Sequence, residues 1–187
     1  MGARFALRDG PSARNARWKI SAMPRTRRGQ QWRYIRRRSH ETRWNLDDSS
    51  SVKEALLAGV RSLNPVLEPH GFVFKLETRG EGSGGWFVSG AYQRGNRRLE
   101  LHFRYSLGLV TYSIGKDSMD HEHYMRLLGV YGKNQYPDFP DDPLESFRSL
   151  AMDIQTYCQD FTSGDGQEFC SLVAKFSKNP TMFKGLS

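Results

Sequence analysis

Histidines are the first side chains in this chain whose type and spacing could do chemistry. His121 and His123 form its one His-x-His pair, and His102 lies on a nearby segment. Three imidazoles bind zinc when they converge and each holds its second nitrogen on another group. These three are therefore the candidate metal ligands. On a helix, however, residues two apart point about 200° from each other, at 100° per residue. The spacing then favours one half-buried imidazole and one solvated one, and no metal or other cofactor is expected. Arg98, His102 and Arg104 share one side of an alternating segment and could present a basic surface to an anion or an acidic partner. Glu100 sits between them, so ion pairing within the surface competes with that use.

Asp138, Asp141 and Asp142 cluster with Tyr131, Tyr136 and Phe139 in one loop. Clustered carboxylates can hold a hard cation or carry acid/base steps. Pro137, Pro140 and Pro143 argue instead for a rigid turn in which Asp142 caps a helix. The loop's aromatics are of the types that anchor protein interfaces. Cys158 and Cys170 have no basic neighbour to lower a thiol pKa, and two cysteines make neither a disulfide framework nor a zinc site. The glycine-rich stretch from Gly80 to Gly85 lacks the Lys-Ser/Thr of a phosphate loop and joins strand to strand, so it reads as a flexible hairpin loop. No Ser/His/Asp, Cys/His or dinucleotide signature is present.

The elements that must position these residues follow from periodicity. Ser51 and Glu54 have the spacing of a capping box and start a helix at Ser51. Val52, Leu56, Val60 and Leu63 form its apolar face, and Pro65, Pro69 and Gly71 stop or kink it between residues 63 and 70. The period then changes to two. Phe72, Phe74 and Leu76 mark a first strand, and Trp86 to Tyr92 a second. Across a turn at Arg94 to Arg97, Leu99, Leu101, Phe103 and Tyr105 point to one face of a third. A turn or bulge at Gly108 separates it from a fourth, carrying Val110, Tyr112 and Ile114. Asp117 or Ser118 caps a short helix running to about Val130. Asp142, Pro143 and Glu145 open a long one that continues through Leu144, Phe147, Ala151, Ile154, Cys158 and Phe161. Past Gly164 and Gly166, Asp165 and Glu168 cap a last helix burying Phe169, Leu172, Val173 and Phe176. The order α-β-β-β-β-α-α-α predicts an α+β fold, a four-stranded antiparallel meander packed against helices.

Charge divides the chain. Residues 1–46 hold thirteen Lys/Arg, twelve of them Arg, against Asp9 and Glu41, a net of +11; residues 47–187 hold fifteen against eighteen acids, a net of −3. The first part, rich in Arg, Ser, Gly and Pro, is expected to be a disordered tail, and residues 47–187 a single domain. Trp32, Arg33, Arg36, Arg37, Arg38 and Trp44 in the tail could stack on bases and neutralise phosphates. Organelle targeting is a second reading of the tail. A third is translation that begins within it, for which Met23 is one internal start, or beyond it. No apolar run approaches the ~20 residues of a membrane span, and cysteine usage fits a cytoplasmic protein. The leading functional expectation is a small non-catalytic protein-binding domain, an adaptor or an inhibitor or immunity-type protein, whose acidic body docks on a basic partner. Nucleic-acid binding through the tail and a His-dependent metal enzyme are the alternatives.

Overall fold

Asp48 opens the first helix. A computed structural model of the chain describes residues 46, 48–138 and 142–178, and in it the Asp48 carboxylate accepts the backbone N–H groups of Ser50 (2.8 Å) and Ser51 (3.0 Å) and the Ser51 hydroxyl. Helix α1 (Ser49–Leu67) therefore begins before the predicted capping box. It also runs through Pro65, because Val60, Leu63 and Leu67 keep its apolar stripe in the core. A 3-10 turn at Glu68–His70 and Gly71, with φ of 81°, then turn the chain into the sheet.

That sheet has five strands, β1 (Val73–Gly82), β2 (Gly85–Arg94), β3 (Arg97–Phe103), β4 (Leu107–Ile114) and β5 (Asp117–Asp120), in spatial order 1-2-3-4-5 and antiparallel throughout. The α+β class and the meander stand as predicted, with one strand more. Asp117 and Ser118, read as helix caps, belong to β5, which pairs Met119 with Tyr112 and buries it. A four-residue strand is too short to display its period. Gly80 to Gly85 does not form a loose loop either: β1 and β2 continue to a Gly82–Gly85 pairing, leaving a two-residue turn. Between β3 and β4 the reversal falls at Arg104 to Ser106, with Phe103 facing Leu107 and a register shift after Leu101, and not at Gly108. Tyr105 consequently leaves the buried face of β3 and is exposed.

Helices α2 (His121–Leu127), α3 (Glu145–Tyr157), α4 (Gln159–Thr162) and α5 (Gln167–Lys178) complete the described fold. Asp120, not Asp117 or Ser118, caps α2 through the His123 N–H. The predicted start at Asp142 shapes the turn ahead of α3, its carboxylate accepting the Leu144 N–H at 2.9 Å. The predicted long helix breaks at Cys158, whose φ of −100° and ψ of 30° are not helical. Asp160 does most of the capping expected of Asp165 and Glu168, accepting the N–H groups of Gly166 and Phe169, while Asp165 accepts that of Gln167.

Helices cover one face of the sheet. Tyr92, Leu99, Leu101, Phe103 and Tyr112 point into it and meet Leu56, Leu63, Phe147, Ile154, Phe161 and Phe169 in one cluster. Burying each such side chain contributes about 1.5–3 kcal/mol. Helix α1 packs on β2 and α3, and the two helices approach so closely that only a glycine fits at Gly59, against the Phe147 ring. Leu46, placed in the tail by composition, packs against this core as well. No helix among the described residues is long and apolar enough to cross a membrane.

Candidate functional site

Four side chains able to do chemistry meet in the core. Asp153 on α3 accepts the backbone N–H of Gln135 on Oδ1 and that of Tyr136 on Oδ2, both at 2.8 Å. His121 at the start of α2 places Nε2 3.3 Å from Asp153 Oδ2 and Nδ1 2.8 Å from the Tyr112 hydroxyl. The Cys158 thiol lies 3.8 Å from the same hydroxyl. One set of proton positions satisfies every atom. Because Asp153 only accepts, Nε2 carries the imidazole proton, Nδ1 accepts from Tyr112 O–H, and Tyr112 accepts from Cys158 S–H; the tautomer is assigned from this network. Tyr112 comes from β4 and Cys158 from the break between α3 and α4, so the array ties sheet to helices.

In space the Cys–Tyr–His–Asp array has the residue types of a nucleophile–base–acid relay, but its environment is that of a structural core. His121 and Asp153 are 2% and 1% exposed, and Tyr112 and Cys158 are wholly buried. Burial drives the Tyr112 hydroxyl well above its ordinary pKa and pushes the Cys158 thiol up, so neither ionises near neutrality. The rings of Tyr124, Phe161 and Tyr136 pack around the Tyr112–His121 pair.

The three candidate histidines each hold a different partner. His102 Nε2 sits 3.0 Å from Glu100, His123 Nδ1 2.6 Å from Asp120, and His121 on Tyr112 and Asp153. Among the described residues no group of three or more His, Cys, Asp or Glu side chains is placed to hold a metal ion. The two helix histidines do differ in exposure, but both lie deeper than the expected half-buried and solvated pair: His121 is fully buried and His123 about one-third exposed.

On the sheet face away from the helices, Arg98 and His102 are internally paired. Arg98 forks onto Glu77 at 2.5 and 2.6 Å and reaches Glu100 at 3.3 Å. Its partner Glu77 lies in a β1 register shift that no period-two reading could place. Arg104 has no such anion among the described residues. In the aromatic loop, Tyr131 is exposed under the Arg126 guanidinium, 3.7 Å from its ring centre. Tyr136, expected as a surface anchor, is instead a core residue: it is 4% exposed and its hydroxyl donates to the Leu107 and Gly108 carbonyls. Asp138 accepts the Ser149 hydroxyl at 2.7 Å. Phe139 and Asp141, with Trp32, Arg33, Arg36, Arg37, Arg38 and Trp44 of the tail, lie outside the described residues.

Two arginines that sequence reading passed over as turn residues are structural. Arg97, 7% exposed, donates to the carbonyls of Asp160 (3.0 Å), Phe161 (2.5 Å) and Gly164 (2.7 Å). Arg94 donates to His70 and Thr162 carbonyls and lies over the Phe72 ring. Nothing in the local sequence marks them, because their partners are more than sixty residues away except at His70. A surface cleft of about 570 Å³ between α1 and the start of β1 is lined by Leu57, Val60, Phe72 and Val73, with Arg61 and Glu68 beside them. The chain matches no protein-family model, no curated protein and no solved structure.

Proposed function

We propose that this protein is a small non-catalytic protein-binding domain, of the adaptor or inhibitor kind. One contrast carries the reading. The chain's acid/base-capable array is used up inside the core, each polar atom satisfied by another or by a backbone amide, while large apolar side chains stay at the surface. Tyr105, Leu109 and Tyr131 are 56%, 57% and 50% exposed. Tyrosines of this kind, two beside an arginine, are the residue types that dominate interface energetics. Affinity purification of the full chain from its native cells tests the reading. A single partner recovered near equimolar ratio is the expected result; recovery of only trace, salt-labile proteins discards it.

A second reading is supported by the charge partition: nucleic-acid binding through residues 1–46, whose net +11 suits a polyanion. It requires binding that weakens steeply with salt and is lost when that segment is removed.

A further inference from the structure

The glycine-rich turn is a built platform. An added Cβ at Gly84 would overlap the Arg104 guanidinium, one at Gly85 the Tyr105 hydroxyl, and one at Gly80 would meet the Phe87 ring at 2.9 Å. Phe87, Arg104 and Tyr105 therefore lie flat on the β1–β2 hairpin, and glycine is there to let them approach. The Arg104 guanidinium sits 5.9 Å from the Phe87 ring centre. Leu109, on the same face of β4 by alternation with Thr111, is 57% exposed. The result is a small apolar surface at one end of the open sheet face, with an arginine at its middle.

That arginine is the informative group. Among the described residues Arg104 makes no ion pair and no side-chain hydrogen bond, whereas Arg98 and His102 on the same face are both committed to Glu100. Glu81 cannot serve, since alternation with Gly80 and Gly82 turns it to the other face. The next cation on this face without an ion pair, Lys75, lies toward the opposite end of β1. A polyanion needs several phosphates neutralised together, which an isolated guanidinium does not provide. A single carboxylate suits it, because the guanidinium fork binds carboxylates in bidentate fashion.

We infer that Phe87, Arg104, Tyr105 and Leu109 form the docking surface for an acidic–apolar segment of a partner protein, its carboxylate on Arg104 and its neighbouring apolar side chain on Tyr105 and Leu109. This rests on the protein-binding reading and gives it a location. It also reverses, locally, the basic partner that the body's overall acidity suggests.

The test pans a displayed library of random peptides against the full chain, then measures synthetic copies of the enriched peptides by fluorescence anisotropy. The wild-type chain, Arg104→Glu and Tyr105→Ala are compared, with melting curves to confirm folding. All three carry the same Arg-rich segment, so differences between them report the patch. Enriched peptides pairing Asp or Glu with Leu, Phe or Trp, each weakened at least about tenfold by both variants, are expected. Peptides that bind all three proteins equally overturn this site but leave the protein-binding reading standing. No enrichment over an unrelated control protein overturns the site too, and the equimolar recovery described above then decides that reading on its own. A labelled oligodeoxythymidine that binds the wild type and is lost with Arg104→Glu overturns it in favour of a nucleic-acid surface.

Discussion

At the scale of single residues, Asp153 is the most exacting position. All three of its partners are N–H donors: the Gln135 and Tyr136 amides and His121 Nε2. Replacement by Asn sets an amide NH2 against at least one of them, and replacement by Ala leaves them all unpaired in a dry core. Asp153→Ala is expected to cost about 3–5 kcal/mol in denaturant unfolding, a large share of a domain's 5–15 kcal/mol, and Asn to recover little of it. Tyr112→Phe keeps the packing but strips His121 Nδ1 and the Cys158 thiol of their partner, for about 1–3 kcal/mol. An Asn variant as stable as wild type would show that the carboxylate is not acting as an acceptor of this kind. The thiols report the same enclosure. Cys158 is sealed and its thiol held protonated, while Cys170 on α5 is partly exposed. A thiol reagent such as Ellman's should modify Cys170 in the native protein and reach Cys158 only on unfolding. Rapid modification of Cys158 would mean that the array is open to small molecules, and a catalytic role would return.

Among the elements, the junction of α4 and α5 hangs on a side chain from the sheet. Arg97 satisfies three carbonyls around that turn, so Arg97→Ala is expected to cost about 2–5 kcal/mol and to speed amide exchange selectively in residues 158–166. Lysine retains the charge without the fork and restores only part of it. Helix α1 supplies a pH dependence of defined sign. The Ser51 backbone N–H, then the Ser51 hydroxyl, hold the Asp48 carboxyl below its ordinary 3.8. A folded-state pKa below the unfolded one contributes stability above pH 3.8 that is lost as pH falls through the lower value. In Asp48→Asn, which still caps, stability should vary less with pH across that window; an unchanged slope would remove Asp48 from the acid response. Much of this arrangement was legible locally. The alternation of Leu99, Leu101 and Phe103 and the stripe of α1 fixed both faces correctly. Other features depended on distant partners or very short segments. An unbroken apolar stripe through Cys158 hides the helix break, β5 is too brief for periodicity, and the glycine run reads as slack until Arg104 and Tyr105 are seen lying on it. The candidate site was hidden for the same reason. His121 was noted for its neighbour His123, while its actual partners, Tyr112 and Asp153, lie nine and thirty-two residues away.

For the whole molecule, charge divides the chain: residues 1–46 carry a net of +11 and residues 47–187 a net of −3. The described body from Leu46 onward encloses its own core, and the cations in excess belong to the segment before it. Removing residues 1–45, which keeps Leu46, should shift the thermal midpoint by less than about 3 °C, under about 1 kcal/mol for a domain of this size. The same deletion should abolish binding to a labelled single-stranded oligonucleotide. In the full chain that binding should fall with salt at a log–log slope of about 0.7 per phosphate neutralised. Both outcomes together would separate a stable body from a polyanion-binding appendage, and would place any surviving partner affinity on the body's own surfaces. A midpoint lowered by much more than this would instead mean that the tail's tryptophans help to hold the fold. A truncated body that still bound the oligonucleotide with the full slope would move the nucleic-acid reading onto a surface whose net charge is −3, and only a locally concentrated set of cations could then account for it.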